Sequence, residues 1–217
     1  MEKNEISKGK AYLWGGLSSI LGGGIRFLFI LFLARILNPE DFGEIAIVSA
    51  VLWIADNIVD GGFSTSLIQK KTHDKDFQTA FVVSLTISFV VCALIFITAS
   101  TINAILNFDN LLLLLKASSI IPIIGSLGII QKTILIKSIN FKKLAIIGFY
   151  SNFLSGIIAI ILAYNGYGVW SYMVLLVSFK LIETILLIKY TKWLPKFKFH
   201  LERYKYSSRY LDAKDFK

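Results

Sequence analysis

Arg26, Asp56, Asp60, Lys116, Lys180 and Glu183 each interrupt a long apolar stretch of the chain. A charge at the centre of a bilayer costs about 2.5–3.5 kcal/mol on insertion scales, so such groups usually face a bundle interior or a watery cavity. Arginine offers a planar fork suited to two oxygens of a phosphate or carboxylate, and lysine a point charge. The carboxylates can hold those cations or carry protons. For Arg26 with Asp56 two readings stay open: a hydrophilic cavity that meets a polar or anionic cargo, or an ion pair that locks two helices together. Lys180 and Glu183 stand three residues apart, which also allows them to satisfy each other along one helix. Lys116 can run its four-carbon stem toward the membrane surface or stand at a cavity rim. These six are the candidate substrate- or cavity-lining residues.

Little in the chain speaks for catalysis. His73 and His200 have no second ligand at metal spacing. There is no Gly-x-Ser-x-Gly elbow and no His-Glu-x-x-His pair. The run Gly22-Gly23-Gly24 lacks the preceding strand and following Lys-Ser or Lys-Thr pair of a phosphate loop. Cys92 is the only cysteine, which excludes a disulfide framework or a cysteine metal cluster within one chain. The expectation is a protein that is not an enzyme and has no cofactor or metal.

The charges must be positioned by elements that can lie in hydrocarbon. Of 217 residues, 55% are apolar and 17% charged, against about 25% charged in soluble domains. Apolar runs fall at roughly 11–37, 43–68, 79–106, 111–136, 144–164 and 168–188. A bilayer core of about 30 Å takes roughly 20 helical residues. Uninterrupted helices satisfy every backbone group there internally. The expected fold is all-α, a polytopic six-transmembrane-helix bundle over 1–190, followed by a basic, aromatic tail at 191–217. The apolar start exceeds the roughly 7–15 residues of a cleavable signal, so it reads as an uncleaved first span.

Lys and Arg counts set the orientation. Three lie before the first run, three between the second and third, four (Lys132, Lys137, Lys142, Lys143) after the fourth and nine from Lys189 onward. The other side has Arg35 alone, so the balance is 19 to 1. The positive-inside rule then puts both termini in the cytoplasm. The basic residues flank apolar runs and form no stripe interleaved with aromatics, so the net charge of +9 does not indicate nucleic acid. The tail, with Trp193, Phe197, Phe199, Tyr204, Tyr206 and Tyr210, reads as an interfacial segment on anionic headgroups.

Within the runs, Ser18 with Gly22 and Ser19 with Gly23 form small-xxx-small pairs for close helix packing. Asn38-Pro39-Glu40-Asp41 reads as a turn and helix start, with Asn38 as the cap. Arg26 and Asp56 stand about 12 and 14 residues from that turn, hence at matched depths of roughly 18–21 Å. Lys180 lies about 18 Å past Gly168 on the same reckoning. Glu44 sits at the membrane edge and is expected in water. Gly61-Gly62 allows a bend, and Pro122 should kink the fourth helix. The third and fifth helices carry no charge over 79–106 and 144–164 and are placed on the lipid side.

Several stretches share a further likeness. Leu33-Ala-Arg-Ile-Leu-Asn-Pro-Glu-Asp-Phe-Gly43 resembles the signature after the first helix of bacterial polysaccharide and O-antigen flippases. These are Wzx-type proteins, in the polysaccharide-transport family of the multidrug/oligosaccharidyl-lipid/polysaccharide exporter superfamily. Asp60-Gly-Gly-Phe-Ser-Thr-Ser-Leu-Ile-Gln-Lys-Lys71 resembles their second-helix exit. Asn140-Phe-Lys-Lys-Leu-Ala145, Gly166-Tyr-Gly-Val-Trp170 and Trp193-Leu-Pro-Lys-Phe-Lys198 follow in the family's order.

The resemblance implies flipping of undecaprenyl-diphosphate-linked oligosaccharide across the bacterial cytoplasmic membrane by alternating access. It implies two six-helix lobes around a central cavity partly lined by helices 1 and 2, which here carry Arg26, Asp56 and Asp60. The chain corresponds to the N-terminal lobe alone. Two parallel copies could pair, or the sequence is a truncated product, and the latter is the expectation. Expected partners are therefore lipid-linked oligosaccharide, membrane lipids, and a second lobe or parallel homodimer. The rival functions are an organic-cation or drug exporter of the same superfamily, and a non-transporting membrane subunit or inactive fragment.

Overall fold

A computed structural model of the protein describes residues 23–69 and 74–195. The expected small-xxx-small pairs of the first helix and the tail beyond Pro195 lie outside them. The elements are α1 (Gly23–Ala34), α2 (Pro39–Asp60), α3 (Phe63–Gln69), α4 (Asp74–Leu106), α5 (Leu111–Ser118), α6 (Ile121–Lys137), α7 (Phe141–Tyr164) and α8 (Val169–Thr191). No strand occurs among the described residues. Taking α5 and α6 together, five helical stretches are long and apolar enough to cross a membrane, and α1 adds a shorter apolar one. The chain is an all-α, multi-pass membrane protein.

Two breaks fall where the sequence places them. After Asp60 the chain turns at Gly61 (φ 48°) and Gly62 (φ 75°) before α3 begins. Both angles lie in the left-handed region that glycine adopts without a Cβ penalty. The fourth apolar run divides at Ser119-Ile120. Pro122, in the first turn of α6, has no N–H to give to the carbonyl one turn back, so the helix restarts there. At the start of α2 the Asn38 N–H donates to Asp41 Oδ2 at 3.0 Å. That bond, Pro39 and two acidic residues at the positive end of the dipole fix the entry.

The bundle is closed at one end and divided at the other. Around the turns after α1, α4 and α7, one large apolar cluster joins α1, α2, α4, α5, α7 and α8 through residues such as Leu33, Leu52, Ala99, Leu115, Ala159 and Met173. We call this the turn end. At the opposite, basic end, the core separates into three small clusters. Ala55, Val59, Val91 and Ile95 join α2 to α4. Leu67, Ala80, Phe81 and Ile130 join α3, α4 and α6. Leu135, Ile147 and Leu187 join α6, α7 and α8. The space between these clusters is polar.

Over their uncharged stretches, 79–106 and 144–164, α4 and α7 turn large apolar side chains outward, including Phe89, Leu94, Ile97, Phe153, Ile157 and Ile161. The inner face of α7 is small: Ser151, Ser155, Ala159 and Ala163 recur every fourth residue and are buried. That spacing lets α8 approach closely. Gly156 faces the ring of Phe29, which fills the place a Cβ would take and seats α1 on α7.

Glu44 departs from expectation. It is only 4% exposed, and its Oε1 accepts the Asn110 N–H at 2.9 Å, just before α5. Adjacent Gly43 admits the Phe108 ring, whose atoms lie 3.0 Å from where a Cβ would stand. The connection after α4 thus folds over the start of α2 and shuts Glu44 away from water, its charge set against the positive end of α5. Replacing Glu44 with alanine leaves the Asn110 donor unmet but also removes Oε2, a buried oxygen with no partner among the described residues. The expected net loss is about 1 kcal/mol, read as a lower unfolding temperature in detergent.

Candidate functional site

The basic end holds a cleft of about 300 Å³ between α2, α3, α6 and α8. On α2, Asp56 and Asp60 are four residues apart, so one helix face presents both. On α8, Lys180 and Glu183 are three apart and do the same. All four line the cleft, with Lys132 of α6.

The pairing crosses between helices. Lys180 Nζ donates to Asp56 Oδ2 at 3.0 Å, joining α8 to α2. Lys132 Nζ donates to Glu183 Oε1 at 3.3 Å, joining α6 to α8. Each bridge has one sheltered and one open partner: Lys180 is 20% exposed against 47% for Asp56, and Glu183 15% against 53% for Lys132. Helix α8 therefore contributes one cation and one anion, and spends them on two different neighbours. The pairing along one helix that the spacing of Lys180 and Glu183 allows is not the arrangement adopted.

Asp60, one turn nearer the glycine break, accepts the Ser64 hydroxyl of α3. Ser64 in turn lies 3.1 Å from the Thr133 hydroxyl of α6. Three carboxylates and two ammonium groups thus line the cleft, a formal charge of −1.

Glycine makes room for this. A Cβ on Gly125 of α6 would lie 2.7 Å from Lys180 Cε and 3.8 Å from Asp56 Oδ1. One on Gly128 would meet Leu187 and Thr184 at 3.1 and 3.2 Å. With no side chains there, α8 lies against α6, and the Thr184 hydroxyl donates to the Ile124 carbonyl at 3.1 Å.

Of the six candidate residues, Asp56, Asp60, Lys180 and Glu183 come together in the cleft. Arg26 is not among the residues that line it: its guanidinium lies over the Phe179 ring of α8, 5.8 Å from the centroid. Asp56 has Lys180 as its partner rather than Arg26. Lys116 lies elsewhere, over the Phe96 ring at 5.2 Å between α5 and α4. An aromatic face suits an ammonium in poor solvent, by about 0.5–2 kcal/mol.

Sequence reasoning missed Lys132, Ser64, Thr133, Gly125 and Gly128. Lys132 was assigned to the connection after the fourth run, yet Ile134, Leu135 and Ile136 follow it and continue the helical pattern. That signal could have placed it inside. Nothing local marks the others, since serine, threonine and glycine are common in membrane helices.

The fold and the cleft define a multi-pass helical membrane protein with a charged cleft entering its core from one end. Residues 32–211 match a family described as polysaccharide biosynthesis protein, and the chain belongs to that family. It is 28% identical over 198 residues to the succinoglycan biosynthesis transport protein ExoT of Rhizobium meliloti (strain 1021), covering 91% of this chain and 40% of ExoT. It is 24% identical over 135 residues to the lipopolysaccharide biosynthesis protein WzxC of Escherichia coli (strain K12), covering 62% of this chain and 27% of WzxC. An uncharacterized membrane protein in the cps region of Klebsiella pneumoniae is 28% identical over 143 residues, 65% of this chain and 30% of that protein. The chain thus spans less than half the length of these relatives. No solved structure matches it.

Proposed function

We propose that this chain forms one lobe of a carrier that moves lipid-linked oligosaccharide across the bacterial cytoplasmic membrane for surface polysaccharide synthesis. The observation that carries the reading is the charged cleft. A bundle closed at its turn end by a large apolar cluster keeps five ionisable groups in an open space at the other end. A hydrophilic cargo needs such a path, because hydrocarbon refuses it. The named roles of ExoT and WzxC, in polysaccharide transport and lipopolysaccharide synthesis, support the same reading.

In this scheme the basic end is cytoplasmic, as the lysine balance indicates, so the cleft opens toward the side where the cargo is made. Lys180, Lys132 and Arg26 supply cationic donors for the diphosphate. Asp56 and Glu183 hold the lysines until an anion competes for them, and Asp60 tunes the site or carries a coupling proton. A second lobe, from further chain or a parallel copy, faces the cleft and completes the cavity.

Deleting the gene and measuring surface polysaccharide tests the assignment. Loss of polymer with accumulation of lipid-linked intermediate, restored by the wild-type gene and not by Arg26→Ala, is the expected result. Unchanged polymer on deletion would favour a non-transporting subunit. The cleft's formal charge of −1 favours one rival, an exporter of organic cations. Energy-dependent efflux of cationic dyes that vanishes with Asp60→Asn, alongside normal polymer, would select it.

A further inference from the structure

Beyond α8 the chain turns at Lys192 (φ 53°), whose N–H closes the last helical turn on the Ile188 carbonyl. The next residue, Trp193, reads from sequence as a headgroup anchor. Its indole instead packs on the cluster of Leu67, Ala80, Phe81 and Ile130, edge-on to Phe81 with centroids 6.1 Å apart. Its Nε1–H donates to Asp74 Oδ1 at 2.9 Å, while Asp74 Oδ2 accepts from Gln78 at 2.7 Å. A residue leaving α8 is thereby fastened to α4, at Asp74 and Phe81, and to the cluster in which Leu67 of α3 is buried.

The position matters because α3 borders the cleft. Ser64 of α3 lines it, and the two left-handed glycines before Phe63 are where α3 can swing relative to α2. Three further ties hold α3 in place: Ser64 to Asp60, Ser64 to Thr133, and Lys137 Nζ donating to the Leu67 carbonyl at 2.7 Å. Those all come from α2 and α6, the walls of the cleft. Trp193, packed on the cluster that seats Leu67 of α3, links that cluster to the segment that follows α8.

We infer that Lys192–Pro195 acts as a strap, in which docking of the Trp193 indole holds α3 over the basic-end mouth of the cleft and undocking lets α3 swing out about Gly61-Gly62. Pulling on the chain beyond α8 then opens or closes the cleft. This stands independently of what the cleft carries.

Thiol labelling of the full chain in lipid nanodiscs tests it. In a Cys92→Ser background, Val59→Cys reports on the cleft, because Val59 lines it while only 1% exposed. Ala99→Cys, at 0% in the main core, reports on general loosening. With a water-soluble maleimide, Trp193→Ala should raise the Val59→Cys rate about fivefold or more, the factor that about 1 kcal/mol carries. Ala99→Cys should stay protected. Trp193→Phe keeps the ring and loses the N–H, so it should fall between. Asp74→Ala, which removes the acceptor from the other side, should match it and serves if Trp193→Ala fails to fold. An unchanged Val59→Cys rate in the variants overturns the strap, as does a parallel rise at Ala99→Cys.

Discussion

Lys180→Met is expected to lower the unfolding temperature by only a few degrees yet to stop polymer export in the complete carrier. The two readouts diverge because they depend on different properties of the bridge. Asp56 is 47% exposed, so once Lys180 is gone its carboxylate still reaches water. Half-exposed bridges are worth about 1 kcal/mol or less, equivalent to roughly 2–4 °C at this size. Asp56→Asn should cost more, because it leaves the more sheltered partner, the Lys180 ammonium, without its carboxylate. Transport is another matter if Lys180 releases Asp56 to meet an anionic cargo.

The double variant Lys180→Met/Asp56→Leu decides between the readings. Replacing both partners with apolar groups leaves no orphan charge, so stability should return to wild type or exceed it. If the bridge is only a lock between α8 and α2, export returns as well. If Lys180 handles the cargo, export stays abolished. Restored export in the double variant would remove Lys180 from the proposed site and leave it a structural residue.

The second large effect is expected at Gly125. In an exposed helix, glycine to alanine stabilises by about 1 kcal/mol through backbone entropy. Here the added methyl would stand 2.7 Å from Lys180 Cε, so the lysine must leave Asp56 to admit it. Because the flexible end of the lysine can give, Gly125→Ala should lose the bridge and about 1 kcal/mol, the low end of overpacking costs. With Lys180→Ala the obstacle is gone, and the same Gly125→Ala change should become neutral or stabilising. This reversal of sign, measured by thermal unfolding, separates a specific clash from a general intolerance of α6. Additive losses would show that Gly125 does not shape the Lys180 site. Gly128→Ala is the contrast: its methyl would meet Leu187 and Thr184 rather than the bridge, so its cost should be the same with or without Lys180.

The amino-acid sequence by itself determined the environment and the punctuation. Long apolar runs dictate helices, because a bilayer offers backbone groups no other partner. Asn38-Pro39, Gly61-Gly62 and Pro122 act through their own covalent geometry, so the start of α2, the break before α3 and the restart at α6 were legible from a few adjacent residues. Of the six ionisable groups singled out, Asp56, Asp60, Lys180 and Glu183 share the cleft, while Arg26 and Lys116 rest on aromatic rings instead.

Tertiary structure decided who pairs with whom. Matched depth suggested Arg26 for Asp56, and spacing allowed Glu183 for Lys180. The fold instead packs α8 against α6 and within reach of α2, so that Asp56 takes Lys180, Glu183 takes Lys132, and Arg26 rests on Phe179. Depth gives a coordinate along the membrane normal, while pairing also requires the rotation and neighbours of each helix. Those are set by distributed packing: the small face of α7, the missing side chains at Gly125 and Gly128, and Phe29 seated on Gly156. The same distinction moved Glu44 out of water and Trp193 onto α4. In both cases a distant segment folded back, and only the assembled chain specifies which segment that is.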